Sequence, residues 1–385
     1  MLKRRKTKTA TVGRVKLGHQ HPIAVQTMTK VFTTNVAACL RQIRQLDKVG
    51  CDLVRIAVPT KADSEALAKI IAKSPIPVIA DIHFSAARAI EAIEAGAVKI
   101  RLNPGNVKDK NDIRRIIDCA KQHNIAIRIG VNEASIRDLK SDVAPAKRTA
   151  LMLKEMRSYI RLFEKAGFDN LVLSAKSANT VRTIEVNRAI AANFEYPMHL
   201  GLTHAGLPED ALVSSSVAIG TLLAEGIGDT IRVSIAGDPV KEIQLGKQIL
   251  QSLGLTPHKG PELIVCPTCG RCQVNVVALA KKVRIRLEGI TKPVRVAVMG
   301  CVVNGPGEAA DADIAVCAGA GKGYIYKNGQ KTATVEETKL LDTLVAEIEK
   351  SKTESPKTDS KKDIKTETKK ADSKPAQQTT SKKDN

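Results

Sequence analysis

Leu53-Val54-Arg55-Ile56-Ala57-Val58, Val78-Ile79-Ala80-Asp81-Ile82 and Val98-Lys99-Ile100-Arg101-Leu102 are three short apolar runs, separated by two stretches of helical period at 62–72 and 86–96. Short runs of this kind between amphipathic segments read as buried parallel strands joined by crossover helices. The same alternation continues outward, with further runs at 23–27, 126–131, 171–176, 198–203 and 230–235. Helical patterns lie between them at 36–49, 111–123, 149–166, 181–193 and 214–226. Eight strands alternating with helices over about 250 residues predict a (β/α)8 TIM-type barrel, with a doubly wound open sheet as the alternative. The segment at 9–18, with its Val-Gly and Leu-Gly turns, reads as a hairpin closing the bottom of that barrel.

Composition bounds the rest. The chain has 385 residues, 43% of them apolar, with no Trp, which suits an α/β protein packed on aliphatic side chains. No apolar run is long enough to cross a bilayer. Met1-Leu2-Lys3-Arg4-Arg5-Lys6 is basic but has no apolar segment behind it, so the expected location is cytoplasmic, with no membrane partner. Eight cysteines in a reducing compartment favour metal binding or chemistry over disulfides, and Cys39, Cys51 and Cys119 read as small core residues. The net charge is +21, of which +4 falls on residues 351–385. The remaining basic residues are scattered and lack aromatic neighbours, which argues against a nucleic-acid partner. Residues 351–385 are Lys, Ser, Thr and Asp with almost no apolar side chain, the composition of a disordered tail.

Strand parity places the polar residues. Side chains two apart share a face, so Arg101 and Asn103 pair, as do Arg128 and Asn132, Ser174 and Lys176, Arg232 and Ser234, and Asp81 and His83. These lie toward strand C-terminal ends, where barrels of this type carry their sites. With Arg55, four arginines and Lys176 converge on one mouth. Several cations in one cavity call for a polyanion, and Arg matches phosphate oxygens bidentately, so a phosphate or diphosphate is the expected ligand. Gly319-Ala320-Gly321-Lys322-Gly323 is no phosphate loop: it lacks the required first Gly and the Ser/Thr after Lys, and a hairpin follows it.

Residues 254–262 have the composition of a linker, dividing a barrel at 1–253 from a small α+β domain at 263–350. The second domain reads as a strand into Cys266, a helix at 273–287, a strand into Cys301, a strand at 314–317, a hairpin turning at Asn328-Gly329 and a helix at 335–350. Cys266-Pro267-Thr268-Cys269 and Cys301 offer three thiolates to one metal centre. The fourth ligand is either Cys272 or Glu308, and a structural zinc is the competing occupant. A carboxylate exchanges more readily than a thiolate and would leave one iron open. Asn304-Gly305-Pro306-Gly307 reads as a turn, and Cys317 as buried.

Cys266-Pro267-Thr268-Cys269-Gly270-Arg271 together with Gly300-Cys301-Val302-Val303-Asn304-Gly305-Pro306-Gly307-Glu308 closely resembles the bacterial (E)-4-hydroxy-3-methylbut-2-enyl diphosphate synthases of the non-mevalonate isoprenoid pathway. The resemblance runs from about residue 10 to 350 and includes Val25-Gln26-Thr27-Met28-Thr29, Asp81-Ile82-His83-Phe84 and Ile129-Gly130-Val131-Asn132. It implies reductive opening and dehydration of 2-C-methyl-D-erythritol 2,4-cyclodiphosphate, with single electrons from flavodoxin or ferredoxin. It also implies a 4Fe-4S cluster held by Cys266, Cys269, Cys301 and Glu308. The diphosphate positions would fall on Arg55, Arg101, Arg128, Asn132, Lys176, Arg232 and Ser234, and the assembly would be a head-to-tail homodimer. One departure is Thr203-His204-Ala205-Gly206, where the family usually has Thr-Glu-Ala-Gly, which makes His204 the expected proton donor. The alternative from another class is a phosphate-binding barrel lyase with a structural zinc domain.

Overall fold

The structure, a computed structural model, describes residues 2–103, 106–107, 109–136, 143–203, 206–257, 260–290 and 292–353, without the side chains of 145, 146 and 351–353. The chain divides into two compact units, Met1–Pro257 and His258–Asn385. The expected tail lies outside the described residues beyond 353.

The first unit opens with a hairpin, β1 (Ala10–Val12) and β2 (Val15–Leu17), paired antiparallel. Eight parallel strands follow: β3 (Ala24–Met28), β4 (Leu53–Ala57), β5 (Val78–Asp81), β6 (Lys99–Leu102), β7 (Ala126–Asn132), β8 (Leu171–Lys176), β9 (His199–Leu200) and β10 (Thr230–Ile231). They pair in the order β8-β7-β6-β5-β4-β3-β10-β9, and a parallel bridge between Leu173 and Met198 closes the ring. Outward side chains such as Val54, Ile56, Ile100 and Ile129 are buried against the surrounding helices. Inward positions carry an apolar floor of Ala24, Leu53, Ile79, Ala126 and Val172, packed on Ala10, Val12 and Leu17 of the hairpin. The predicted barrel and its hairpin plug are therefore present.

Among the described residues each barrel strand is followed by a helix: α1 (Val36–Lys48), α2 (Lys61–Ile71), α3 (Ala86–Glu94), α4 (Lys110–Gln122), α5 (Pro145–Lys165), α6 (Thr180–Asn193), α7 (Pro208–Ala224) and α8 (Pro239–Ser252). Their starts are chemically marked. Thr60 and Asp63 form a reciprocal capping box on α2, and Asn35, Ser85, Asn179 and Asp238 each accept from a backbone N–H at their helix starts. Helices α5 and α7 begin at a proline, earlier than the apolar period suggested, because Pro suits the first helical turn. The last two strands are only two residues long, shorter than their apolar runs. Beyond them the chain widens around Gly201, where a Cβ would lie 2.6 Å from the Arg232 carbonyl oxygen and 2.9 Å from Lys176 Nζ. Glycine leaves room there for the lysine.

The second unit is a five-stranded sheet in the order β11 (Glu262–Val265), β12 (Arg295–Met299), β13 (Ile314–Gly319), β14 (Lys322–Lys327) and β15 (Gln330–Glu336). The first three strands are parallel and the rest antiparallel, with Asn328 and Gly329 turning at positive φ between β14 and β15. Helices α9 (Val276–Leu287) and α11 (Leu340–Thr353) pack on one face through Val276, Val283, Leu344 and Ile348. Three expectations are corrected here. The helix placed at 273–287 starts at Val276, where Asn275 caps it. Residues 335 and 336 extend β15, and α11 begins only after a short 3-10 turn, because pairing with β14 holds the chain extended. The turn at Asn304–Gly307 is instead a single helical turn, α10 (Gly305–Glu308), with Pro306 in its first turn.

Candidate active site

Strand parity brings the cations together. Arg55, Arg101, Arg128 and Lys176 stand on inward positions of four barrel strands, and Arg232 follows β10 on the same face. They line a cavity of about 180 Å³ at the strand C-terminal ends, together with Asp81, His83, Asn132, Thr203 and Ser234. Asn103 does not line it: its amide donates to Ser135 Oγ at 3.0 Å, and the side chain is buried beside the mouth. His204 lies outside the described residues.

Two carboxylates answer part of this charge. Asp81 sits 3.7 Å from Arg55 Nε and 3.5 Å from Arg101 Nη1. Burial works against its ionised form, but the two guanidinium groups outweigh burial and hold its pKa below the usual range. Glu242, wholly buried on α8, accepts Arg232 Nε at 3.0 Å and Arg232 Nη2 at 3.2 Å. It also accepts Thr27 Oγ1 at 2.5 Å and the Ile235 N–H at 3.2 Å, and lies 2.8 Å from Lys30 Nζ. Its carboxyl is likewise held low despite burial, chiefly by Arg232. Among the described residues, neither Arg128 nor Lys176 has a carboxylate partner.

The imbalance has a measurable direction. Burial, with the charges of Arg232 and Arg101 added, brings Arg55 down to about 10 although Asp81 opposes the change. Burial and the neighbouring guanidinium groups push Lys176 well below the ordinary lysine range. An arginine keeps its proton in proteins, so the cost of charge at Arg128 stays within the site until an anion enters. Such a cavity is built to be completed by a dianionic or more highly charged ligand.

The second unit carries its own pocket. Cys266, Cys269, Cys301 and Glu308 line a cavity of about 120 Å³ with Arg271 and Asn304. Cys266 directly follows β11 and Cys301 lies just past β12, so the parallel pairing of those strands puts the two thiols at one sheet end. Backbone N–H groups of Asn304 and Val303 lower the Cys301 thiol below its ordinary pKa, favouring the thiolate that metals bind. Cys317 is the opposite: burial and the nearby Cys301 push it up to about 12, so it is a core thiol. Cys272 is not among the residues lining this pocket. Its sulfur packs behind Gly300, 2.6 Å from where a Cβ would stand, and accepts the Cys269 N–H at 3.4 Å. Among the described residues no three ligand groups are gathered around a single-ion site. Three soft thiols and one exposed carboxylate around one pocket nevertheless suit a thiolate-ligated cluster.

The first unit matches the GcpE TIM-barrel domain over residues 7–247, and the second matches the GcpE protein C-terminal domain over residues 262–350. The chain belongs to the GcpE family. The 4-hydroxy-3-methylbut-2-en-1-yl diphosphate synthase (flavodoxin) of Corynebacterium jeikeium (strain K411) is a GcpE relative 49% identical over 346 residues, 89% of either chain. The protein of the same description from Aquifex aeolicus (strain VF5) is 43% identical over 350 residues, 91% of this chain and 98% of its own. A solved dihydropteroate synthase from Stenotrophomonas maltophilia overlays 66% of this chain and 100% of its own at TM-score 0.48 and 15% identity. As a GcpE family member the chain is an enzyme. The barrel lyase with a structural zinc domain has no support, since both units match the one family.

Within this GcpE fold the sequence reading missed Glu242. The signal was present: Pro239, Glu242, Ile243, Gly246, Ile249 and Leu250 are the buried stripe of α8, and a carboxylate within such a stripe needs a buried partner. Lys99 and His199 were also passed over, although they fall on the inward parity of β6 and β9.

Proposed function

We propose that this GcpE-family enzyme reductively opens 2-C-methyl-D-erythritol 2,4-cyclodiphosphate and eliminates water, forming (E)-4-hydroxy-3-methylbut-2-enyl diphosphate for isoprenoid synthesis. The observation that carries this reading is the cationic cavity at the barrel mouth, with Arg128 and Lys176 unpaired among the described residues, in a chain whose relatives are named for that product.

Arg128 and Lys176 would take the diphosphate oxygens, and Arg55 and Arg101, spaced by Asp81, would hold its flanks. Glu242 orients Arg232, while Asn132 and Ser234 offer uncharged hydrogen bonds at the cavity wall. Fixed donors around the phosphates stabilise the charge that grows there as the ring opens, without having to reorganise. His83 lines the same cavity, and His204 remains the proposed proton donor.

Cys266, Cys269, Cys301 and Glu308 would hold the 4Fe-4S cluster. When bound there, the cluster supplies single electrons and a Lewis acid. Glu308 is exposed at the end of α10, so its carboxylate would be free to move without disturbing the core. Flavodoxin as donor is supported by the relatives' description. A head-to-tail homodimer is supported by apolar side chains at both sites: Phe32 is 87% exposed and Phe84 73% at the barrel rim, and Val303 beside Cys301 is 69% exposed. The reading keeps the division at 1–253, 254–262 and 263–350, and a cytoplasmic location; no helix among the described residues is long and apolar enough to cross a membrane.

The test is anaerobic purification followed by iron and acid-labile sulfide analysis, then turnover of the cyclic diphosphate with reduced flavodoxin. About four iron and four sulfide per chain with product formation support the reading. Zinc in place of iron, with no product after cluster reconstitution, overturns it.

A further inference from the structure

One inward position below the mouth, the barrel is polar and sealed. Lys99 on β6, His199 on β9 and Thr230 on β10 are fully buried, with Ser174 on β8 and Gln26 on β3 at 1% exposure. Beneath them lies the apolar floor closed by the hairpin. Gln26 Nε2 is 3.0 Å from His199 Nδ1 and 2.7 Å from Thr230 Oγ1. An amide nitrogen only donates, so His199 Nδ1 accepts and the proton of the neutral ring sits on Nε2. His199 Nε2, Ser174 Oγ and Lys99 Nζ then have no partner among the described residues.

Lys99 is the largest of these side chains, and titratable groups stand on almost every strand around it. Arg55 stands on β4, Asp81 on β5, Arg101 on β6, Arg128 on β7, Lys176 on β8, His199 on β9 and Arg232 after β10, while β3 presents uncharged Gln26. Burial, then Arg128 and Arg55, push the Lys99 amine well below the ordinary lysine range, so all three work against its charged form when no anion is present. Arginine cannot respond to a change of ligand charge by changing protonation, but a buried lysine can.

We propose that Lys99 is a charge-compensating positioning residue beneath the diphosphate site, neutral while the mouth is empty and protonated from solvent when a diphosphate occupies it. The inference rests on the reading of the mouth as a diphosphate site. It has a chemical use in the reaction. When the ring opens, a carbon–oxygen bond to one phosphate breaks and that oxygen becomes a terminal phosphate oxygen with one more negative charge. Lys99, protonated since the cyclic diphosphate entered, offsets this charge from within the barrel, without any movement of the arginines.

Calorimetric titration of the full chain with inorganic pyrophosphate, repeated in buffers of different ionisation enthalpy, counts the protons taken up on binding. The native protein is expected to take up about one proton more than Lys99→Arg, which carries a permanent charge, or Lys99→Met, which carries none. Its affinity should also fall with rising pH more steeply than in either variant, by up to about tenfold per pH unit. Contributions from Lys176 and from pyrophosphate itself are common to all three proteins and cancel in the difference. Equal uptake by native protein and variants overturns the inference and leaves the mouth reading intact. Folded native protein that fails to bind pyrophosphate overturns the mouth reading, and the inference with it.

Discussion

Glu242 and Arg232 form a two-pronged ion pair inside the barrel wall, Nε donating at 3.0 Å and Nη2 at 3.2 Å to the two oxygens of one fully buried carboxylate. Lys30, Thr27 and the Ile235 N–H complete its shell, so a residue of α8 ties β10 to β3. The guanidinium is thereby aimed at the mouth rather than free to swing. Glu242→Gln should lower kcat/KM on the order of 10- to 100-fold through misplacement of Arg232. It should also cost about 3 kcal/mol of stability through the broken buried pair. Steady-state kinetics beside urea unfolding separate the two effects, and unchanged kinetics in a destabilised protein would show that Glu242 does not position the arginine.

Arg128 is a buried cation without a carboxylate partner among the described residues, a cost carried for the sake of a ligand. Arg128→Met should therefore raise the stability of the free protein by about 1 kcal/mol while weakening pyrophosphate binding at least about tenfold. Thermal unfolding with and without pyrophosphate reads both; a variant that is less stable and binds equally well contradicts this account.

Asp81 has its pKa held below the ordinary carboxylate value by Arg55 and Arg101, against the effect of burial. A depressed folded-state pKa contributes stability above the unfolded-state value and loses it as pH falls through the folded-state value. The melting-temperature advantage of the native protein over Asp81→Asn should thus be full at neutral pH and shrink below about pH 4. An advantage that instead grows on acidification would mean that Asp81 is not the ionised partner of the two arginines.

At the cysteine pocket, Cys272→Ser should leave iron and sulfide content unchanged, because Cys272 packs behind Gly300 and does not line the cavity. Glu308→Ala should keep most of the cluster on its three thiolates yet lose turnover ~100-fold. Loss of cluster in the serine variant, or full turnover in the alanine variant, reverses the assignment of the fourth ligand.

Much of this was legible because it is encoded by near neighbours in the chain. Alternation with period two marks which side chains of a strand share a face, so Arg55, Arg101, Arg128, Lys176 and Arg232 fall to one mouth on parity alone. The apolar runs marked eight strands, and Cys-x-x-Cys with a distant Cys301 marked the second site. Boundaries were less legible where proline or strand pairing overrode the apolar period, as at Pro145, Pro208 and Val335.

The amino-acid sequence by itself determined the barrel, the inward parity of its cations and the three thiols of the cysteine pocket, since these follow from spacing along the chain. Tertiary structure alone decided how charge is distributed over them. It set Asp81 between Arg55 and Arg101, left Arg128 unpaired among the described residues, turned Asn103 aside and Cys272 away, and buried Lys99 under the mouth. The reason is closure: Thr27 and Glu242 meet at 2.5 Å across 215 positions of chain, and no local period records which side chains meet when α8 folds against β3.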